Sequence, residues 1–225
     1  MELVFQFKTG TILDIGANIG QTLLNIRGMG NTSKYIAFEP NPYLASYLSK
    51  LVDANKMDKV KVIGAGLSGE TTISEFRYSS ISSSGASTKP EMRAGNFHDR
   101  SMQVPVYSGD DLIPAFELYD LCLVKIDVEG GELEVLMGLS ATIEQNRPAV
   151  ICEVLPVYDE STEVGALRRE RTNKFMRFFQ DMDYSVARIH ESGRLEWIDH
   201  IETHGDLDLV NYLAVPNELE KRICR

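Results

Sequence analysis

An open, doubly wound α/β sheet is the fold this sequence predicts, and three observations predict it. Short apolar runs alternate with segments of helical spacing along most of the chain. Two of those runs, Leu121–Val128 (LCLVKIDV) and Ala149–Leu155 (AVICEVL), are nearly continuous in apolar residues, as strands of a parallel sheet covered on both faces must be. The length, 225 residues, suits one α/β domain better than two, so residues 1–225 are expected to form a single domain.

Taken in order, Thr11–Ile15 (TILDI) reads as a first strand that stops at a glycine-rich turn. Thr22, Leu23, Leu24 and Ile26 then give a modest helical pattern closed by Gly28 and Gly30. Tyr35–Phe38 is a second strand ending at Glu39, and Pro42 suits the first turn of a helix over about 43–54. Val60–Ile63 is a third strand, and Thr71–Tyr78 and Met102–Tyr107 read as extended. Leu121–Val128 carries the strongest strand signal and leads through Gly130 and Gly131 into a helix beginning at Glu132. After Ala149–Leu155, residues 160–182 place Val164, Leu167, Phe175, Phe178, Phe179 and Met182 on one face of a long helix. Tyr184–Ile189 and Val210–Val215 are the last strands. The stretch Ser79–Thr88 has six serines in ten residues, and on composition it reads as a surface loop. A long loop in a compact domain is also where active-site lids occur, so 79–101 is expected to act as a lid or substrate loop.

Composition excludes several classes of function. An apolar fraction of 43% with 25% charged residues is that of a folded globular chain. The net charge of −10 argues against a nucleic-acid partner, because phosphate binding depends on Lys and Arg. No apolar stretch approaches the ~20 residues that span a bilayer. The opening MELVFQFK lacks the basic start and long apolar run of a signal peptide. Three cysteines make no disulfide framework: Cys122 and Cys152 fall in buried strands, and Cys224 is next to the C-terminus. A reducing, cytoplasmic setting is expected.

Two constellations carry chemistry. In the first, Asp14-Ile15-Gly16-Ala17-Asn18-Ile19-Gly20 follows a strand and opens a helix, so a ligand can approach bare backbone at a helix N-terminus. Glu39 lies nineteen residues beyond Gly20, at the end of the next strand, where a carboxylate can accept two hydrogen bonds from a ribose diol. A glycine turn alone is as often structural, but the pair points to an adenosine-containing cofactor. The glycines read G-x-N-x-G rather than G-x-G-x-x-G, and the Asp14 carboxylate would repel a pyrophosphate while suiting a cationic amino acid group. S-adenosylmethionine carries an ammonium and a sulfonium and no phosphate, so the charge argument favours it over NAD. An NAD-linked oxidoreductase and a non-catalytic binding module are the competing readings.

The second constellation is Lys125-Ile126-Asp127-Val128-Glu129-Gly130-Gly131-Glu132. Alternate residues of a strand share a face, so Lys125, Asp127 and Glu129 are expected to point the same way at the end of Leu121–Val128. Ionisable residues at a buried strand end are costly unless paired or used. They are read as the catalytic groups, against the blander reading of a Lys–Asp ion pair. Asp127, Glu129 and Glu153 together could hold a hard divalent cation through oxygen ligands. His200 and His204 have i, i+4 spacing, but WIDHIETHGD is not clearly helical, so solvent-facing or hydrogen-bonded histidines are expected. His98 follows the serine-rich stretch and could reach substrate if that loop is a lid. Arg168, Arg169, Arg171 and Lys174 read as a solvated helix face.

The segments ILDIGANIGQT, IAFEPNP, VKIDVEGGELEVLMG and ICEV, in this order and spacing, resemble the FkbM family of S-adenosylmethionine-dependent methyltransferases. The resemblance runs from about Thr11 to Val215, and the KIDVEG-GE element is its most specific part. It implies a Rossmann-like class I methyltransferase fold, a seven-stranded sheet with an antiparallel last strand at Val210–Val215. It also implies O-methylation of a hydroxyl on a small molecule, sugar or glycan. Carried onto this chain, Asp14, Gly16, Asn18 and Gly20 would line the methionine part of the donor and Glu39 would take the ribose. Asp127 would sit near the amino acid end or the reacting hydroxyl. The turn Ile63-Gly64-Ala65-Gly66-Leu67 departs from the family, which often has an asparagine there. The chain begins almost at its first strand, without the N-terminal extension of many members, so a lid or substrate element is expected to be absent or replaced by the 79–101 segment.

Overall fold

The computed structural model describes residues 1–78, 100–116 and 119–223. His98, Cys224 and the lid expected over 79–101 lie outside the described residues, apart from Arg100 and Ser101, which begin a strand. After a short helix α1 (Glu2–Phe7), the chain runs β1 (Thr11–Ile15), α2 (Gln21–Gly28), β2 (Tyr35–Phe38), α3 (Pro42–Ala54) and β3 (Val60–Ile63). β4 (Gly66–Ser68), β5 (Thr72–Tyr78), β6 (Arg100–Ser108) and α4 (Gly109–Phe116) follow. The second half holds β7 (Leu121–Ile126), α5 (Glu132–Gly138), α6 (Ser140–Asn146), β8 (Ala149–Glu153) and α7 (Glu163–Asp181). It closes with β9 (Tyr184–Ile189), β10 (Leu195–Ile198), β11 (Asn211–Pro216) and α8 (Asn217–Ile223).

The main sheet has the order β10-β9-β11-β8-β7-β1-β2-β3. β3, β2, β1, β7 and β8 are mutually parallel, and β11 inserts antiparallel between β8 and β9. These are the seven expected strands with the expected reversed last one; β10 adds an eighth by a hairpin with β9. From β1 the chain moves outward to β2 and β3 and later returns to place β7 on the other side of β1. The crevice between β1 and β7 is therefore the topological switch point, where ligands bind in sheets of this kind.

Alternation along the strands feeds two cores. Leu13, Ile15, Phe38, Val124 and Ile126 pack under α5, α6 and α7, where Phe175 and Phe179 meet edge to face at 5.1 Å. Ile12, Tyr35, Ala37 and Leu123 pack on the opposite face with Leu23, Ile26 and Leu48 of α2 and α3. Helix α3 starts as its sequence dictates: Pro42 is in the first turn and Asn41 caps it, accepting from Tyr43 N at 3.0 Å. A second sheet, β4-β6-β5, packs Phe76, Val104 and Val106 together beside the switch point.

Two expectations change here. β7 stops at Ile126, short of Val128, so strand alternation does not place Glu129. The basic run on α7 is a solvated face only at Lys174. Arg168 is buried and donates to Pro156 O at 2.8 Å, and Arg171 reaches across to the turn before α5. Cys122 and Cys152 are buried free thiols, and no helix of the described residues is long and apolar enough to cross a membrane.

Candidate active site

A cavity of about 310 Å³ opens beyond the carboxyl ends of β1, β2, β7 and β8. One wall is the turn after β1, with Gly16, Ala17 and Asn18, together with Glu39. A second wall, next to it, holds Lys125, Asp127, Glu129 and Glu153, and the small sheet supplies Phe76 and Val106.

The first wall is built by backbone. Gly16 N and Ala17 N each donate to Phe38 O at 3.0 Å, tying the β1 turn to the end of β2. Glu39 completes the tie: Oε2 accepts from Asn18 N at 2.8 Å and Oε1 from Asn41 N at 2.9 Å. Burial pushes the Glu39 carboxyl above its ordinary value, and those two backbone bonds oppose the rise. Gly16 has φ +82°, and a Cβ there would stand 1.9 Å from Asp127 O, so glycine is what lets the two walls meet. The sequence pairs Gly20 with this function, but Gly20 does not line the cavity. Its φ is +89° and a Cβ would meet Leu48 Cδ1 at 2.6 Å, so it serves the packing of α2 on α3.

Asp14 is a larger correction. Its side chain is 0% exposed and does not line the cavity. The parallel register sets Asp14 beside Lys125, and Lys125 Nζ lies 3.5 Å from Asp14 Oδ1 and 3.1 Å from Asp127 Oδ2. Tyr35 Oη donates to the other Asp14 oxygen at 2.5 Å. Asp14 thus supports Lys125 from within the core rather than lining the cavity. Burial pushes its carboxyl up, while Lys125 and Tyr35 pull it down. Burial pulls the Lys125 ammonium down, but Asp14 and then Asp127 outweigh it, so Lys125 sits above its ordinary value and stays charged. The ion pair that the sequence offered as the bland reading exists, and Asp127 still lines the cavity.

Glu129 reaches the second wall by a turn. Its φ is +57° and that of Gly130 is +107°, which swings the chain from β7 into α5. Carboxylate oxygens of Asp127, Glu129 and Glu153 all lie within 4.8 Å of one another. Among the described residues they are the only group with metal-ligand spacing, and no histidine joins them. His200 and His204 lie in an irregular segment. Of the two alternatives expected for the histidines, solvent-facing or hydrogen-bonded, the first fails at His204: both ring nitrogens are buried, and burial with Arg188 nearby holds the imidazole below its ordinary value.

Several site residues escaped the sequence reading. Glu134 lines the cavity from the first turn of α5, and its i+2 position after the motif glutamate was an available signal. Tyr35 reads as core, and only the register shows its hydroxyl reaching Asp14. Phe76 and Val106 come from a separate sheet whose position no local pattern announces.

A parallel sheet with an antiparallel strand inserted before its last parallel strand, and a ligand cavity at its switch point, defines the Rossmann-like class I methyltransferase fold. Residues 14–186 match the family model described as the methyltransferase FkbM domain, and the chain belongs to that family. It is 29% identical over 182 residues to the hexuronic acid methyltransferase AglP of Haloferax volcanii, covering 78% of this chain and 69% of that one. The fold matches that of the methyltransferase FkbM from Methylobacillus flagellatus KT with a TM-score of 0.56 at 17% identity, over 92% of this chain. This chain covers 43% of that protein's length, less than half. It also matches cofactor-bound Rv0187 from MTB, with a TM-score of 0.53, 15% identity, and coverage of 96% of this chain and 77% of that one.

The family's methyl donor is S-adenosylmethionine, and the cavity fits it. Lys125 is the only basic residue among the described lining residues, and Asp14 and Asp127 already neutralise it. Such a lining suits a cofactor without phosphate and disfavours a pyrophosphate. The preference for the methyl donor therefore stands on the whole lining and not on Asp14.

Proposed function

We propose that this chain is an S-adenosylmethionine-dependent O-methyltransferase, working as a single domain on a hydroxyl of a small molecule, sugar or glycan. One observation carries the reading: the Gly16–Asn18 turn, Glu39, Asp127 and Glu129 all line one cavity at the switch point. Glu39 would hold the ribose, since each of its oxygens keeps a second lone pair after accepting a backbone N–H. The backbone of Gly16 and Asn18 would line the methionine part. When bound, the donor supplies an electrophilic methyl group on a sulfonium.

The chain's own residues then have two tasks. The walls orient the acceptor oxygen for in-line attack, which supplies much of the rate in such a displacement. Asp127 or Glu129 takes the hydroxyl proton, since an aliphatic hydroxyl is a poor nucleophile until it loses it. Lys125 is the donor in its bond to Asp127 and fixes that carboxylate's orientation. Held as a cation, it does not serve as the base. AglP, whose name gives a hexuronic acid as its substrate, supports a sugar acceptor. The buried thiols of Cys122 and Cys152 fit a reducing, cytoplasmic setting.

Calorimetric titration with S-adenosylhomocysteine and with NAD tests the cofactor. Binding of the first and not the second is expected, and the reverse would overturn the reading. A screen of hydroxylated sugars and glycosides with donor present, read by product mass, tests the acceptor. A second reading rests on the spacing of Asp127, Glu129 and Glu153: a hard divalent cation held there would lower the pKa of the acceptor hydroxyl. Turnover lost to a chelator and restored by magnesium would favour the cation, and indifference to the chelator would leave a carboxylate as base.

A further inference from the structure

The turn from Asp127 to Gly131 is held in a conformation that its own residues do not favour. Glu129 is left-handed, which costs a non-glycine residue about 1–2 kcal/mol, and such backbone persists only where its surroundings over-determine it. The N-cap of α5 is Gly131, which has no side chain to hold the turn. Two side chains from outside the turn grip the peptide groups on either side of Gly130. Glu132 Oε1 accepts from Gly130 N at 2.9 Å and from Val128 N at 3.3 Å. Arg171, reaching over from α7, donates to Gly130 O at 2.9 Å and is itself braced on Glu134 at 2.8 Å.

Glu132 is 5% exposed, and no lysine, arginine or histidine among the described residues forms an ion pair with it. A carboxyl group buried without a cation is costly, and an apolar residue in its place would pack at less cost. It sits where its only visible task is to collect the N–H groups of this turn.

We propose that Glu132 is the positioning residue of the active-site turn: by accepting from Val128 and Gly130, with Arg171 holding Gly130 O, it fixes Glu129 in the left-handed conformation that turns it to the cavity. The inference rests on the reading of Asp127 and Glu129 as the groups that meet the acceptor. Glu132 itself touches neither donor nor acceptor, since it does not line the cavity. Its loss should therefore separate turnover from donor binding.

The test uses the full chain with Glu132→Ala, Glu132→Gln and Glu132→Asp. Amide hydrogen exchange at Val128 and Gly130 is followed by NMR, together with S-adenosylhomocysteine affinity and turnover on an acceptor from the screen. Glutamine keeps an oxygen where Oε1 lies, so it should keep both amides protected and turnover within about threefold of wild type. Alanine should speed exchange at both amides by about tenfold or more, leaving Leu123 in β7 protected. Its turnover should fall on the order of a hundredfold, the scale of an ångström's misplacement, with affinity for S-adenosylhomocysteine changed less than about threefold. Aspartate keeps the charge but falls one methylene short, and should behave like alanine; it replaces alanine if that variant does not fold. Protection and turnover that survive both alanine and aspartate would overturn the proposal. So would loss of donor affinity and β7 protection in step with turnover, which would make Glu132 a residue of the fold alone. Failure of wild type to bind S-adenosylhomocysteine would sink the proposed function while the amide readout still decides the role of Glu132 in the turn.

Discussion

Replacing Glu132 by glutamine should make the protein's stability depend less on pH, and the size of the change follows from the site. Burial is the largest influence on this carboxyl and pushes it from 4.5 up to about 7, against the hydrogen bonds from Gly130, Glu132's own N–H and Val128. The folded state therefore holds its proton more tightly than the unfolded chain does. Between 4.5 and 7 the native state carries more protons, so stability falls as pH rises through that window. The full loss is about 3 kcal/mol, of which about 2.5 kcal/mol falls between pH 5 and pH 8. Glutamine has no proton to lose and escapes this term. Urea unfolding of both proteins at pH 5 and pH 8 measures it, because other titrating groups largely cancel in the difference. The glutamine variant should gain about 2.5 kcal/mol on wild type across that range, roughly 1 M in urea midpoint. A stability difference that is the same at pH 5 and pH 8 would refute the reasoning, since the carboxyl would then titrate alike in both states.

Other consequences are as direct. Glu39→Ala should lower S-adenosylhomocysteine affinity by about 1.5–3 kcal/mol in calorimetry, and unchanged affinity in a folded variant would remove Glu39 from the donor site. Asp14→Asn should cost stability, about 1–3 kcal/mol by denaturant unfolding, because Lys125 loses one of its two counter-charges. Its effect on donor affinity should be smaller than that of Glu39→Ala; a larger one would return Asp14 to the cofactor. Gly16→Ala forces a Cβ against Asp127 O at positive φ, so Tm should fall by roughly 5–10 °C along with donor affinity. A normal Tm in that variant would show that the two walls do not meet there.

The sequence by itself determined the seven principal strands and the helices after β1, β2, β7 and β8, the two motif turns, and the convergence of Glu39, Asp127 and Glu153 on one cavity. It could do so because apolar periodicity and glycine placement are local, and a doubly wound sheet brings strand ends to one edge wherever they occur. The helix start at Pro42 was legible from residue chemistry, and the antiparallel direction of β11 only through the family resemblance. Tertiary structure alone decided what Asp14 does. A carboxylate beside a glycine turn faces either a ligand or the core, and only the pairing of Asp14 with Lys125 in the β1–β7 register turns it inward. The same holds for Glu129, whose approach to the cavity comes from a left-handed turn clamped by Glu132 and by Arg171 of a helix forty residues on. Alternation within a strand carries no information past the last ladder hydrogen bond. Beyond Ile126 the direction of each side chain is set by which distant groups grip the peptide, and that is a property of the folded chain.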